Sequence, residues 1–417
     1  MVSSYIPRSL EPVVQKAVSE FPAVALSGPR QAGKTTLLKR LFSGSYRYVS
    51  VESPDIRAIA AEDPRGFLAA HPPPVILDEV QYAPGLLPYV KERIDADRGR
   101  TGQYVLTGSQ HLLLVEKITE SLAGRAAMLR LLPLSFREIR GEPWARLPWE
   151  AEAQPGPPPP GPGATGAAAR LAHGALWEAL VRGGYPELVA NPGRDIALWH
   201  GSYVQTYLER DVRALRQVGD LTQFQAFLRA LAARSGQLLS LTGLARDLGV
   251  AVNTIKAWLS VLEASHQVTI LRPYFANVGK RLVKTPKVYF NDVGTLCYLS
   301  GLNHPAHAAA GPLGGPILET AVLSEIVRTF AHRGQEPRVY FWRTSAGEEV
   351  DLVVEAGAKL IPIEVKLSAT PRPAMALSIK AFRAALGERA ESGYVIHPGD
   401  IRLPLGSDAT ALPFAEL

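Results

Sequence analysis

The sequence is almost free of cysteine and contains no long apolar run. Its single cysteine, Cys297, excludes an internal disulfide framework and a cysteine-rich zinc site. No apolar run reaches the ~18 residues that a membrane-spanning helix needs. The first 17 residues lack the apolar region of a secretory signal peptide. We therefore expect a cytoplasmic protein that has no membrane partner.

The composition and length are typical of a globular protein with several domains. Hydrophobic residues make up 47% and charged residues 20% of the 417 residues, which excludes a wholly disordered chain. At ~150 residues per domain, this length corresponds to roughly 2.8 domains. The net charge of +6 and the isoelectric point near 9.3 permit a nucleic-acid partner without requiring one.

A proline- and glycine-rich segment divides the chain. Residues 150–169 include four consecutive prolines at 157–160, which favour an extended path and predict a linker or surface insertion; a proline-rich ligand for another protein is the alternative. Before it, short apolar runs at 23–26, 75–77 and 104–106 alternate with helical patterns, as in a parallel α/β sheet. After it, the pattern is mostly helical.

Residues 28–35 match the phosphate-binding pattern GxxxxGK[ST]. A predicted strand precedes them and a predicted helix follows, so backbone amides and the helix N-terminus would face phosphate oxygens. We expect Lys34 to reach the β- and γ-phosphates of ATP and Thr35 to ligate Mg²⁺. A chance glycine-rich turn is the alternative. The predicted nucleotide-binding residues are Gly28, Pro29, Arg30, Gln31, Ala32, Gly33, Lys34, Thr35, Thr36 and Ser109.

Further candidate ATPase residues follow the second and third apolar runs. Asp78 would hold Mg²⁺ together with Thr35, and Glu79 would polarise the attacking water. Ser109 could sense the γ-phosphate or belong to an ordinary turn. Arg125 is the candidate arginine finger, and an ordinary surface arginine is the competing interpretation. Because such a finger often acts on a neighbouring subunit, we expect a homo-oligomer, either a ring or a dimer.

Residues 241–264 predict a helix-turn-helix in which Gly249 makes the turn and Asn253 caps the second helix. Residues 268–290 then predict strands that form a wing. Its basic residues, with no acid among them and with aromatic residues nearby, are suited to DNA. A scaffold with a solvated basic hairpin is the alternative. The predicted DNA-binding residues are Arg272, Lys280, Arg281, Lys284 and Lys287.

The C-terminal region carries the spacing of a metal-dependent phosphodiesterase. Asp351 lies on one predicted strand, and Glu364 and Lys366 lie two residues apart on the next. Glu319 comes from the preceding predicted helix, at 317–333. Asp351 and Glu364 would hold Mg²⁺ or Mn²⁺, and Lys366 would position water or stabilise the transition-state charge. A charged hairpin on a half-exposed sheet is the alternative.

Taken together, these motifs resemble those of the bacterial and archaeal AAA+-type ATPases whose ATPase domain is followed by domain of unknown function 4143. The strings that carry the resemblance are GPRQAGKTTLL, EDPRGFL, LDEVQYAPGLL, YVLTGSQ, ESLAGRA, LLPLSFREI, GGYPE, YLERDVR and KTPKVYFNDVG. The resemblance implies a C-terminal PD-(D/E)xK nuclease fold, as in archaeal Holliday-junction resolvases. By that resemblance, Glu319, Asp351, Glu364 and Lys366 take the metal and catalytic places.

The sequence therefore predicts an α/β protein in several parts. These are an N-terminal P-loop AAA+-type ATPase domain (1–142), a linker (143–172), a helical and winged-helix middle domain (173–302) and a C-terminal restriction-endonuclease-like α/β domain (303–417). The predicted function is that of an ATP-driven motor that remodels DNA, such as a Holliday junction, and could cleave it. The alternative is a nucleotide-dependent switch that binds protein partners and keeps an inactive nuclease-like scaffold. A nucleotide kinase would explain the phosphate loop only.

Overall fold

A parallel sheet forms the centre of the N-terminal part. The computed structural model describes residues 5–108, 121–153, 173–208, 221–274, 285–344 and 347–417. The strands run in the order β2-β3-β4-β1-β5, and every pair is parallel. These strands are β1 (Ala23–Ser27), β2 (Arg47–Ser50), β3 (Val75–Asp78), β4 (Tyr104–Gly108) and β5 (Ala126–Arg130). The three apolar runs predicted as strands are confirmed as β1, β3 and β4.

Helices cover this sheet, which explains why β1, β3 and β4 are buried along their whole length and read as apolar runs. Parallel neighbours cannot be joined by a tight hairpin, so crossover segments carry the helices. The helices of this part are α1 (Glu11–Glu20), α2 (Lys34–Leu41), α3 (Pro54–Glu62), α4 (Pro64–Ala70) and α5 (Leu87–Ala96). Two short helices, α6 (Phe136–Ile139) and α7 (Pro148–Ala153), lead towards the proline-rich segment. Residues 154–172 lie outside the described ranges.

The middle part is mainly helical. Among its described residues, the first five helices are α8 (His173–Arg182), α9 (Pro186–Ala190), α10 (Ile196–Tyr203), which continues as a π-helical turn at Val204–Leu208, α11 (Leu221–Ala232) and α12 (Leu241–Leu248). It continues with α13 (Val252–Ala264), the antiparallel strands β6 (Val268–Leu271) and β7 (Lys287–Phe290), α14 (Val293–Leu299) and α15 (Pro305–Ala310).

The predicted turn between two helices is present at Gly249, which has a left-handed φ of 65° between α12 and α13. Ile255, Trp258 and Leu259 of α13 are buried, as their spacing predicts. The expected cap at Asn253 is wrong, because α13 begins one residue earlier and its N-cap residue is Ala251. Asn253 is instead an exposed residue of the first helical turn.

The C-terminal part combines one long helix with a mixed sheet in the order β12-β13-β11-β10-β9-β8. The antiparallel strands β8, β9 and β10 are followed by a helix and by β11, which runs parallel to β10. The elements are α16 (Gly314–His332), β8 (Val339–Arg343), β9 (Glu349–Ala356), β10 (Lys359–Val365), α17 (Leu377–Leu386), β11 (Gly393–His397), β12 (Leu403–Pro404) and β13 (Ala409–Pro413). The helix and three strands predicted between 317 and 366 are confirmed.

The middle and C-terminal parts share one hydrophobic core, which extends from Leu132 to Leu417. Nearly every turn of α16 contributes a buried side chain. Within the described ranges, we find no helix that is both long enough and apolar enough to cross a lipid bilayer.

Candidate functional site

The phosphate loop, residues 28–33, connects the end of β1 to the start of α2. Gly28 has a φ of 149°, and a Cβ atom at this position would lie 2.0 Å from the carbonyl oxygen of Leu131. Gly33, with a φ of 95°, precedes the first helical residue, Lys34. Both glycines are therefore required by backbone geometry, and α2 begins where its N-terminus can face an anion.

Lys34 is almost completely buried and folds back over the phosphate loop. Its Nζ donates hydrogen bonds to the carbonyl oxygens of Gly28, at 2.9 Å, and of Pro29, at 3.0 Å. The adjoining cavity of about 590 Å³ is lined by Lys34, Thr35, Thr36 and other residues. The structure thus brings most of the predicted nucleotide-binding residues to one cavity. Ser109 lies outside the described residues.

Asp78 and Thr35 meet at the same edge of the sheet. Thr35 Oγ1 donates to Asp78 Oδ2 at 3.0 Å, and the hydroxyls of Tyr48 and Thr107 also donate to this carboxylate. Asp78 is 4% exposed, so these contacts stabilise a buried charge. The adjacent hydroxyl and carboxylate oxygens have the hard-donor chemistry that suits a divalent cation bound with a nucleotide.

Glu79 faces the cavity beside the phosphate loop. Its backbone is left-handed, with a φ of 56°, and its amide donates to Thr107 Oγ1 at 3.2 Å. The side-chain amide of Gln81 donates to the Glu79 carboxylate. Thr107 therefore positions both acidic residues. The sequence predicted a functional residue at the end of β4, at Ser109. The residue that contacts Asp78 and Glu79 is Thr107, two positions earlier.

Arg125 does not reach the nucleotide cavity of its own chain. It precedes β5, whose first residue pairs with Ala23 at the start of β1, whereas the phosphate loop follows the end of β1. Its guanidinium makes a double hydrogen bond to Asp95, at 2.7 and 2.9 Å. Arg125 therefore cannot act as a finger on its own chain, because it lies at the opposite ends of the strands from the phosphate loop. A finger that acts on a neighbouring subunit stays a prediction.

The predicted C-terminal residues come together at the ends of β9 and β10. The pairing of Leu352 with Ile363 places Asp351 across from Glu364. Asp351 Oδ2 accepts a hydrogen bond from the amide of Val365 at 2.8 Å. Glu364 is buried and accepts hydrogen bonds from Lys366 and from Ser378, which lies on α17.

Glu319 approaches the same cluster from α16, but a lysine of the middle part engages it. Lys287 Nζ lies 3.1 Å from Glu319 Oε1 and 2.6 Å from Glu349 Oε1. The Tyr289 hydroxyl also donates to Glu319. The side chain of Lys287 is only 5% exposed. The sequence places Lys287 on a basic DNA-binding wing; in the structure its ammonium is buried among carboxylates, which contradicts an exposed DNA contact.

The carboxylate cluster, defined here as Glu319, Glu349, Asp351 and Glu364, is crowded with negative charge. Burial, together with the charge of Asp351, raises the pKa values of Glu319 and Glu364 to about 7. Burial alone would lower the pKa of Lys287, but Glu319 and the other carboxylates raise it. Lys287 therefore stays charged and serves as the counter-ion of this cluster.

The cluster as built does not fit a metal ion. Both oxygens of Glu364 are engaged by Lys366 and Ser378, and Glu319 is held by Lys287 and Tyr289. Throughout the described ranges, no three or more histidine, cysteine or acidic side chains are grouped so that they could hold a metal. The oxygen chemistry suits Mg²⁺ or Mn²⁺, but binding would require these protein contacts to break.

Of the predicted DNA-binding residues, Arg272 is described and exposed. Lys280, Arg281 and Lys284 lie outside the described residues. On α13, the residues Asn253, Lys256 and Ser260 are exposed and, by their spacing, share one polar face of the helix.

Several partners of the predicted residues carry no recognisable signal in the sequence. Tyr48 and Thr107 contact Asp78, and Ser378 contacts Glu364. No motif spacing connects these residues to their partners, because each comes from a different element. The sequence around Lys287 was misleading, because it lacks acidic residues. The acidic residues that contact Lys287 in the fold come from distant parts of the chain.

Three family models match successive parts of the chain. An AAA domain matches residues 20–140, domain of unknown function 8612 matches residues 173–306, and domain of unknown function 4143 matches residues 314–417. The N-terminal match spans the phosphate loop, Asp78 and Glu79.

Two curated relatives match almost the whole chain. The uncharacterized proteins Rv2008c of Mycobacterium tuberculosis and Mb2031c of Mycobacterium bovis are each 30% identical over 404 residues, which cover 96% of this chain and 82% of the relative. Among solved structures, the Walker-type ATPase PABY2304 of Pyrococcus abyssi matches with a TM-score of 0.42 and 16% identity, covering 72% of this chain and 99% of that one.

Proposed function

Since the chain belongs to the family of AAA-type ATPases that carry a C-terminal domain of unknown function 4143, we propose that it hydrolyses ATP to remodel DNA. The proposed ATP hydrolysis is supported most directly by the contact between Thr35 and Asp78 beside the phosphate loop. It joins the start of α2, directly after the loop, to the end of β3, at the place where a phosphate-bound cation is needed.

Each residue of this site has a distinct task in the proposed hydrolysis. Lys34, now bonded to loop carbonyls, would turn towards the β- and γ-phosphates. Thr35 and Asp78 would hold Mg²⁺, which neutralises developing phosphate charge when it is bound. Glu79 would orient the attacking water and accept its proton. Thr107 keeps Asp78 and Glu79 in register through its single hydroxyl.

Binding of branched DNA, such as a Holliday junction, is the second half of the proposal. Arg272 and the polar face of α13 are exposed, and basic side chains near such a helix suit a phosphate backbone. The order of β8, β9, β10, α17 and β11, with Asp351, Glu364 and Lys366 at the strand ends, supports a nuclease-like module. We propose that this module recognises DNA; cleavage is an outcome to be tested.

The test is ATP hydrolysis measured alone and with duplex, single-stranded and four-way DNA at low salt. We expect DNA to increase turnover, four-way DNA most, and salt to weaken the effect because phosphate contacts release counterions. Lys34→Ala should remove turnover with every DNA. Equal turnover with and without DNA, together with no DNA binding at low salt, would refute the proposal.

A nucleotide-dependent switch that binds protein partners is the second candidate. The observation that favours it is the ion pairing of Lys287 with Glu319 and Glu349, which occupies the carboxylate cluster. A scaffold without cleavage activity would have this arrangement.

Nicking of plasmid and four-way DNA with Mg²⁺ or Mn²⁺ distinguishes the two candidates. If cleavage occurs in this module, Asp351→Ala and Lys366→Ala should each abolish it and leave ATP turnover near the wild-type rate. No nicking, no DNA stimulation and a stable complex with a purified protein partner would favour the switch. Mass measurement in solution with ATP and four-way DNA would show whether a ring or dimer forms.

A further inference from the structure

Arg8 is a buried arginine that hydrogen-bonds to the backbone of the phosphate loop. It is 3% exposed, and its three nitrogens reach three separate acceptors. Nη1 donates to the carbonyl oxygen of Ala32 in the loop at 2.8 Å, Nη2 to that of Leu132 at 2.7 Å, and Nε to Glu138 Oε1 at 3.1 Å. A planar guanidinium fixes such a set of directions more strictly than an ammonium can.

Glu138 connects Arg8 to the C-terminal part of the protein. Its carboxylate is fully buried and also accepts a hydrogen bond from the amide of Ser9 at 2.8 Å. His332, the last residue of α16, places Nδ1 3.2 Å from Glu138 Oε1. The same histidine accepts a hydrogen bond at Nε2 from the amide of Leu132 at 3.1 Å. His332 therefore hydrogen-bonds to the backbone through Nε2, whereas Nδ1 makes a close contact with the carboxylate without the geometry of a hydrogen bond.

The backbone at Leu131 and Leu132 provides a second route between the loop and α16. The amide of Leu131 donates to Ser27 at the end of β1, at 2.8 Å. Gly28 packs so closely on Leu131 that a Cβ atom would lie 2.0 Å from its carbonyl oxygen. The next residue, Leu132, bonds to Arg8 through its carbonyl and to His332 through its amide. A shift of the Arg8 or the His332 side chain would therefore displace the backbone at Leu132 and, with it, the neighbouring Leu131 on which the loop packs.

We propose that Arg8, Glu138 and His332 form a brace through which α16 sets the conformation of the phosphate loop. Arg8 borders the nucleotide cavity, but its three nitrogens are engaged by Ala32, Leu132 and Glu138. Glu138 and His332 are fully buried, so we treat all three as positioning residues. Nucleotide affinity of the N-terminal domain therefore depends on the C-terminal domain. By linkage, nucleotide binding stabilises the end of α16 to the same extent.

The charges within the brace support this coupling. Burial would raise the pKa of Glu138, but Arg8 and His332 hold it well below its ordinary value. Glu138 is therefore a buried anion whose partners come from opposite ends of the chain. Two further ties flank it: Glu325 of α16 pairs with Arg137 at 3.4 Å, and Arg328 donates to the carbonyl oxygen of Leu134 at 2.8 Å. The segment after β5 is thus held to α16 along several turns.

The brace also connects the two candidate sites, because α16 carries both His332 and Glu319. The two residues are thirteen positions apart on one continuous helix, which corresponds to about 20 Å at 1.5 Å per residue. A buried helix of this kind moves as one body. The nucleotide cavity and the carboxylate cluster are consequently attached to the two ends of the same element.

The test measures binding of N-methylanthraniloyl-ADP to the full chain by fluorescence in His332→Gln, Arg8→Lys and the double variant. We expect each single variant to raise the Kd about tenfold, which is the effect of losing about one buried hydrogen bond. Because both changes act through Glu138, the double variant should raise the Kd by less than the product of the two single-variant increases. His397→Gln is the matched control, since His397 is an equally buried histidine on β11, away from the brace.

A merely structural role predicts a different result. In that case His332→Gln and His397→Gln would lower the melting temperature alike, and both would keep the wild-type Kd; this result would overturn the proposal. If His332→Gln does not fold, an unchanged Kd in Arg8→Lys has the same meaning. Hydrogen exchange gives the reciprocal readout. The analogue should slow exchange of amides 325–332 in the wild type, and equal slowing in Arg8→Lys would contradict the brace.

Discussion

Three hydroxyl groups from three elements converge on the carboxylate of Asp78. They belong to Thr35 at the start of α2, Tyr48 on β2 and Thr107 on β4. Burial and the neighbouring carboxylate raise the pKa of the Tyr48 hydroxyl, which therefore remains a donor. These hydrogen bonds hold the Asp78 carboxylate in one orientation, which prepares it to bind a cation without rearrangement.

Glu79→Gln separates hydrolysis from binding. The glutamine side chain would keep the size and a hydrogen-bonding group but could not accept a proton, so we expect ATP turnover to fall about 100- to 10,000-fold. Affinity for N-methylanthraniloyl-ADP should stay near the wild-type value, because Lys34 and Thr35 are unchanged. Phosphate release measures turnover, and Glu62→Gln, at an exposed glutamate of α3, is the control. Wild-type turnover in Glu79→Gln would contradict the assigned role.

The raised pKa of Glu364 predicts a pH-dependent stability. Its pKa of about 7 lies above the ordinary value, so between pH ~4.5 and ~7 the folded chain holds a proton that the unfolded chain has lost. Stability from this group is therefore present at low pH and is lost as the pH rises through 7. Glu364→Gln cannot titrate, so its melting temperature relative to wild type should rise between pH 5 and pH 8.

Calorimetry at a series of pH values measures this difference, with Glu388→Gln, at an exposed position, as the control. A constant difference between Glu364→Gln and wild type across this range would show that the buried carboxyl does not retain its proton.

At the scale of elements, periodicity and motif spacing were sufficient for most of the fold. Apolar runs predicted β1, β3 and β4 because parallel strands covered on both faces need no alternation. Turn chemistry predicted Gly249, whose left-handed φ ends α12. The motifs also located Lys34, Asp78, Asp351 and Glu364. What they could not provide was the pairing between distant elements, such as β7 against α16, because nothing in the local pattern of either segment records it.

Strand β7 shows the consequence of such pairing most clearly. In the chain, Lys287 belongs to a basic stretch that lacks acids; in the fold, it is the counter-ion of Glu319 and Glu349. Lys287→Met would leave these partly buried carboxylates without a cation, which is destabilising. We expect a lower melting temperature for the variant. We also expect Mn²⁺ to raise the melting temperature more in the variant than in the wild type.

Differential scanning fluorimetry with and without Mn²⁺ measures this effect. Lys359→Met is the control, since Lys359 makes a half-exposed ion pair at the start of β10. A melting temperature of Lys287→Met that responds to Mn²⁺ no more than the wild type does would show that the carboxylate cluster cannot take a divalent cation in place of the lysine.

At the scale of the whole molecule, the middle and C-terminal parts form a single hydrophobic core, and buried ion pairs join it to the N-terminal sheet through α16. The sequence predicted a division into domains from the proline-rich segment. It could not predict how closely the parts pack, because their contacts join residues up to 275 positions apart, as between Arg140 and Ala415.

Cys297 reports on the integrity of this shared core. It is fully buried on α14, and burial, with the charge of Asp292, raises its thiol pKa to about 12. At pH 8, only about one molecule in 10,000 would carry the reactive thiolate even without steric protection. We expect reaction with Ellman's reagent to be slow in buffer and to accelerate with denaturant in parallel with the loss of helical circular dichroism.

An exposed thiol provides the comparison for this measurement: Ser202→Cys combined with Cys297→Ala should react rapidly in buffer. If the native thiol of Cys297 reacted as fast as that exposed one, the shared core would open locally without global unfolding.

The proposed function is that one chain uses ATP to change the structure of DNA. Its most direct measurement follows a fluorescently labelled four-way junction during incubation with the wild-type chain, ATP and Mg²⁺, with Lys34→Ala in parallel. We expect the wild type to convert the junction to two-armed products only when ATP is present, and we expect Lys34→Ala to leave it intact. A wild-type chain that hydrolyses ATP but leaves the junction intact, or converts it equally without ATP, would refute this function.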